Sequence, residues 1–153
     1  MKTHVKIFLL AALVFSLAAC ATAPKFDDVA NRDWLLAQLR LEQETIVIDR
    51  SKPDADGFGG IFSLRFDEER ISGVGAPNRY FAPYSLDGRQ GITIGIIAGT
   101  MMASLSEPGN LEEYEYYAWL QNVERWNLVG GNLELYAKGG DGSQAVLVFA
   151  PAE

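Results

Sequence analysis

Gly73-Val74-Gly75-Ala76-Pro77-Asn78-Arg79-Tyr80 is the stretch whose reading decides the fold. Gly73 and Gly75 permit positive φ or a close approach of backbones, which a residue with a Cβ resists. Pro77 fixes its own φ and pushes Ala76 toward extended geometry. Asn78 tolerates the left-handed region and can bond its own backbone. The chain therefore turns sharply between Ile71 and Tyr80. Beyond the turn, strand alternation puts Tyr80 and Tyr84 on one face and Phe81 on the other. This pattern predicts a tight turn feeding a strand whose aromatics fill a core.

Strand patterns flank the turn on both sides. Ile61–Phe66 alternates Phe62, Leu64 and Phe66 with Ser63 and Arg65, and Arg70–Ser72 returns as its partner. Downstream, Ile92, Ile94 and Ile96 share one face, and Gly99 marks a kink after which Thr100–Ser104 extends the strand. Thr45–Ile48, Arg125–Leu128, Asn132–Tyr136 and Ala145–Phe149 are further short β-rich runs. Val129-Gly130-Gly131 joins two of them as a hairpin. Trp34–Leu39 fits either a strand or a short helix by pattern. One segment reads firmly as helix: Asn110 as N-cap, Glu113 three residues on, and Leu111, Tyr114, Tyr117, Ala118 and Leu120 on a broad apolar face. The expected fold is mainly β with one α-helix, a twisted, barrel-like antiparallel sheet.

Gly73, Asn78 and Tyr80, followed by Thr100, Met102 and Ala103, together resemble the signatures of the META domain, the HslJ-like family. The resemblance runs from Trp34 to Phe149 and takes Trp34 and Leu36 as the start of a first strand. The family commonly carries a cysteine in each signature. Here those places hold Pro77 and Ser104, so the resemblance implies the fold and nothing that depends on a thiol. Some of its members are linked to stress tolerance or virulence.

The N-terminus carries Lys2 and Lys6, an apolar run over Val5–Val14, then Leu17-Ala18-Ala19-Cys20. A charged start, a short apolar core and small residues before a cleavage point make a secretory signal. The run is shorter than the ~20 residues of a spanning helix. Leu17–Cys20 resembles a bacterial lipobox, which implies cleavage before Cys20, acylation of its sulfur and amino group, and a palmitate-type anchor. Ala21, not Asp, resembles the pattern sent to the outer membrane. The expected organisation is a signal over 1–19, a lipidated N-terminus and flexible tether over 20–32, and the domain over 33–151.

The full chain carries 13 Lys and Arg against 20 Asp and Glu. Loss of Lys2 and Lys6 with the signal makes the remainder more acidic still, which disfavours nucleic acid and anionic lipid headgroups. The only His, His4, lies in the signal, and the only Cys is Cys20. A Ser-His-Asp triad, a Cys-His nucleophile and a zinc site with nitrogen or sulfur ligands therefore have no residues to use. Asp54-Ala55-Asp56-Gly57 opens like a calcium loop, but Phe58 and Arg65 stand where ligands are needed. Glu112, Glu113 and Glu115 read as a solvated face matched to the helix dipole.

These readings lead to a non-enzymatic envelope lipoprotein, without cofactor or metal, anchored to the membrane through Cys20 and engaging an envelope protein in stress or maintenance. The signature residues Gly73, Gly75, Asn78, Tyr80, Thr100 and Met102 serve structure or interaction. The alternative is a binding module for a small apolar or glycan ligand, using exposed aromatics among Tyr80, Tyr84, Tyr116 and Trp119.

Overall fold

The computed structural model describes residues 23–50, 60–102 and 108–152. The alternating runs form strands β1 (Asp33–Leu41), β2 (Thr45–Val47), β3 (Ser63–Phe66), β4 (Arg70–Val74), β5 (Arg79–Asp87), β6 (Gly91–Ile94), β7 (Ala98–Gly99), β8 (Val123–Val129), β9 (Asn132–Lys138) and β10 (Gln144–Pro151). Helix α1 (Glu113–Gln121) precedes β8. Neighbouring strands pair antiparallel in the order β10-β9-β8-β6-β5-β4-β3-β1, and β10 pairs again with β1, which closes the ring. Eight strands thus make a barrel, with β2 beside β1 and β7 beside β5. Closure leaves few open edges, the general problem of an antiparallel sheet.

β1 shows how the sequence serves that closure. Its buried residues are Trp34, Leu36 and Leu39, which breaks strict alternation. The register against β10 shifts between Leu36 and Gln38, so Ala37 is an extra residue that bends the strand and resets which side faces in. The Ala37 carbonyl accepts a hydrogen bond from the Ile48 N–H at 2.9 Å. Beside the bulge, the Arg50 guanidinium donates to the carbonyls of Leu36 (2.9 Å) and Ile61 (2.8 Å), bridging the gap where β2 and β3 share one edge of β1.

Large side chains occupy the interior: Trp34, Phe62, Phe66, Tyr116, Trp126 and Phe149 are fully buried. Helix α1 closes one end with Tyr116 and Leu120, and the preceding Leu111 is buried with them. The N-terminal segment closes the other. A single 3-10 turn, Phe26–Asp28, sets Phe26 with ring centroids 5.2 Å from both Phe66 and Trp126. Val29 is fully buried, and its carbonyl accepts from the Trp34 indole N–H at 3.0 Å.

Several expectations need correction. The tether expected over 20–32 is part of the fold from Phe26 onward, because Phe26 and Val29 lie three residues apart and share one face of the turn. The domain therefore begins before residue 33. The helix starts at Glu113, capped by Glu112, whose N–H donates to Glu115 Oε2 at 3.3 Å. Asn110 instead ends a separate turn with φ 59°, so Tyr116 points inward and Tyr114 is exposed. Ile61 and Phe62 precede β3, with Phe62 in the left-handed region at φ 48°. β7 ends at Gly99, and the expected extension reaches beyond Met102 outside the described residues, as do Cys20 and the Asp54–Gly57 loop.

The N-terminal closure makes a prediction. A domain beginning at Asp33 should unfold at lower urea than one beginning at Lys25. It loses burial of Phe26 and Val29, each of order 1.5–3 kcal/mol when complete, and the partner of the Trp34 indole. Equal urea midpoints would show that the segment adds nothing to the barrel.

Candidate functional site

The turn between β4 and β5 brings three distant segments together around Asn78, which is 4% exposed. The Asn78 side-chain oxygen accepts from the Thr100 hydroxyl (2.8 Å) and the Met102 N–H (2.6 Å). Its amide nitrogen donates to the Met102 carbonyl (3.0 Å) and to Glu113 Oε2 (2.6 Å). All four hydrogen-bonding positions of the side chain are thus in use. The Glu113 carboxylate reaches back from the first turn of α1, and its Oε1 accepts from the backbone N–H groups of Ala76 (2.6 Å) and Asn78 (2.7 Å). Such charge-assisted bonds are shorter and stronger than neutral ones. Glu113 is therefore not part of a solvated face.

The glycines make room for this clamp. Neither Gly73 nor Gly75 has positive φ. A Cβ on Gly73 would collide with the Ser63 carbonyl oxygen and stand 2.9 Å from the Tyr80 ring. A Cβ on Gly75 would collide with Glu113 and the Tyr117 hydroxyl. Close approach, not left-handed geometry, is what requires glycine at both places. The Ala76–Pro77 peptide bond is cis.

Behind the turn lie three tyrosines. The Tyr80 hydroxyl donates to the Ser63 carbonyl at 2.8 Å and sits 2.9 Å from the Tyr116 hydroxyl. The Tyr117 hydroxyl donates to the Asn78 carbonyl at 3.2 Å. Burial raises all three phenols above the usual tyrosine range, and for Tyr117 the Glu113 carboxylate adds to the rise. They are neutral, hydrogen-bonded groups at physiological pH.

The expected aromatics divide accordingly. Tyr80 and Tyr116 are buried, 3% and 0% exposed, so they offer no surface to a ligand. Tyr84 is half-buried against Phe26 and Phe66 and donates to the Asp67 carbonyl at 2.8 Å. Trp119 lines an open groove, about 510 Å³, with Leu41, Glu42, Gln43, Glu44, Ser143 and Gln144. Thr100 and Met102 hold the clamp through one polar group or backbone each, while the Met102 side chain is 55% exposed. Sequence reasoning missed Glu113 and Tyr117 as the partners of the signature turn. It also missed the outer face of β3–β5, where Arg65, Arg70, Arg79 and Phe81 line a groove of about 330 Å³. A second groove of about 320 Å³, lined by Pro77, Thr100 and Met102, adjoins it at Val74 and Arg79. Among the described residues, no cluster of three or more His, Cys, Asp or Glu is placed to hold a metal ion.

The clamp can be tested by stability. Asn78→Ala strands the Met102 N–H and removes a donor from Glu113, at about 1–3 kcal/mol for each group left unpaired. Gly73→Val forces backbone apart, at a cost of about 1–3 kcal/mol or more. Both should shift urea melts by a large fraction of the ~5–15 kcal/mol available to a domain. Gly140→Val, which meets no atom within 4 Å, should barely move them. If Gly140→Val is as damaging as the other two, the clamp has no special weight.

Comparison with known proteins agrees with this geometry. A family model described as META domain matches residues 27–153. The solved NMR structure of a protein from Burkholderia xenovorans shares the fold, with a TM-score of 0.59 and 18% identity over 99% of each chain. No curated protein matches the chain. With the family model covering nearly everything from the Phe26 turn to the end of β10, the chain belongs to the META domain family.

Proposed function

We propose that the protein is a non-enzymatic lipoprotein of the bacterial envelope, held to the outer membrane by acyl groups on Cys20, whose META domain engages an envelope protein in stress or maintenance. The observation that carries the non-enzymatic part is the saturation of Asn78 and the engagement of Glu113: the most polar part of the signature site is spent inside the fold. What it leaves outside is a rigid surface. Among the described residues no helix is long and apolar enough to cross a membrane. The lipobox-like Leu17–Cys20 supports an acyl anchor. Only Ala21–Pro24 separate Cys20 from Lys25, where the ordered turn begins. At ~3.5 Å per residue that span is at most roughly 17 Å. The anchor therefore keeps the Phe26 end of the barrel near the bilayer and turns the clamp end away from it. Cys20→Ser should abolish metabolic palmitate labelling and move the protein out of the detergent phase; equal labelling of variant and wild type would sink the lipoprotein reading.

A second reading, a glycan-binding module, is favoured by the groove at Trp119. An indole flanked by Glu42, Gln43, Glu44 and Gln144 combines a flat apolar platform with the hydrogen-bonding groups that a sugar needs. Trp34 and Trp126 are fully buried, so a ligand-dependent change in tryptophan emission reports Trp119. Chitotetraose should give a saturable change that Trp119→Ala removes. No change at millimolar sugar would set this reading aside.

A further inference from the structure

We propose that the outer face of β3, β4 and β5 is a docking groove for an extended acidic segment of a partner protein, one that carries acidic, apolar and acidic side chains at alternate positions. The register sets out its contacts. Arg70 lies opposite Pro83, Ser72 opposite Phe81, and Val74 opposite Arg79. The residues between them, Ile71, Tyr80 and Ala82, are buried in the barrel, so this set faces out. Arg70 and Arg79 stand at the two ends, four strand residues apart, or roughly 13 Å at 3.3 Å per residue. Phe81, 51% exposed, stands at the midpoint.

The charge of this face departs from that of the chain, whose net charge is −7. Asp33 is the one carboxylate lining the groove, and Arg65 neutralises it at 3.3 Å while also meeting Asp67 at 3.2 Å. Among the described residues neither Arg70 nor Arg79 enters an ion pair. Two guanidinium groups without an ion pair among the described residues, flanking an exposed ring, call for an anionic partner with an apolar centre. The spacing selects its form. In an extended peptide, residues i, i+2 and i+4 share one face and span the same roughly 13 Å. A lone phosphate or sugar acid would satisfy one arginine and leave Phe81 bare. The clamp holds the site in advance of binding: the Arg79 N–H donates to the Thr100 hydroxyl at 3.2 Å, next to Asn78. A surface ordered beforehand loses less freedom on binding.

This proposal rests on the protein-interaction reading and not on the anchor, so its test leaves the lipoprotein question separate. The purified full-length protein is titrated against a fluorescent peptide with the core Glu-Thr-Leu-Thr-Glu, read by anisotropy. Saturable binding is expected, weakening with salt. Arg70→Ala and Arg79→Ala should each weaken it about fivefold, the scale of an exposed ion pair. The double variant Arg70→Glu/Arg79→Glu should lose the acidic peptide and bind Lys-Thr-Leu-Thr-Lys instead. Phe81→Ser should weaken binding without altering its salt dependence. Thermal melts should be unchanged, since all three side chains are exposed. Binding that ignores the double charge reversal overturns the proposal. So does equal binding of a peptide with both glutamates adjacent. Binding of polygalacturonate or polyphosphate with no binding of the peptide also overturns it, and assigns the groove to a polyanion.

Discussion

One carboxylate holds the architecture in register. Glu113 sits at the start of the only α-helix among the described residues, and it takes the N–H groups of a turn that comes long before it in the chain. Without it, two backbone donors in the tightest part of the β4–β5 turn would have to face a crowded interior. Buried donors left unpaired cost more than a single bond contributes. Asn78 extends the same bonding to Met102, so helix, turn and the chain after β7 are fixed relative to one another. The hydroxyls of Tyr116 and Tyr117 meet the Tyr80 hydroxyl and the Asn78 carbonyl because α1 sits where Glu113 puts it.

A barrel filled this way leaves its grooves on the outside. Tryptophan and phenylalanine rings occupy the centre, α1 closes one end and Phe26 the other. Small ligands in barrels commonly occupy the mouth or the lumen. Here the accessible places are grooves along the strands and at the turn ends, where side chains alternate with the core.

Much of this was legible in the residues. The stretch from Gly73 to Tyr80 marks where the chain turns, although Gly73 and Tyr80 themselves pair across β4 and β5; the alternation at Tyr80 and Phe81 marks the faces, and the spaced short strands point to a barrel-like sheet. Trp34–Leu39 resisted assignment for a physical reason: the bulge at Ala37 leaves inward residues two and then three apart, which mimics a helix. Asn110 is a good capping residue by type, which points to a helix start before Glu113; its backbone is left-handed and belongs to another turn. Phe26 and Val29 were passed over because two apolar residues among aspartates show no period. Glu113 looked like any surface glutamate near a helix start. Its role depends on what the turn presents to it in three dimensions, and no local pattern encodes that.

The pairing of β1 with β10 has a consequence for how the molecule is made. Trp34 meets Pro151 at one end and Leu41 meets Ala145 at the other, so the first long strand finds its longest partner only in the last. Joining ends so far apart costs chain entropy before any contact rewards it, and topologies of this kind fold slowly. As the chain emerges from a ribosome, β1 keeps one edge open until β10 has been made. An unfinished copy exposes that edge and its tryptophan to other chains. The barrel cannot be closed in stages, and a copy cut short before β10 has nothing to close with.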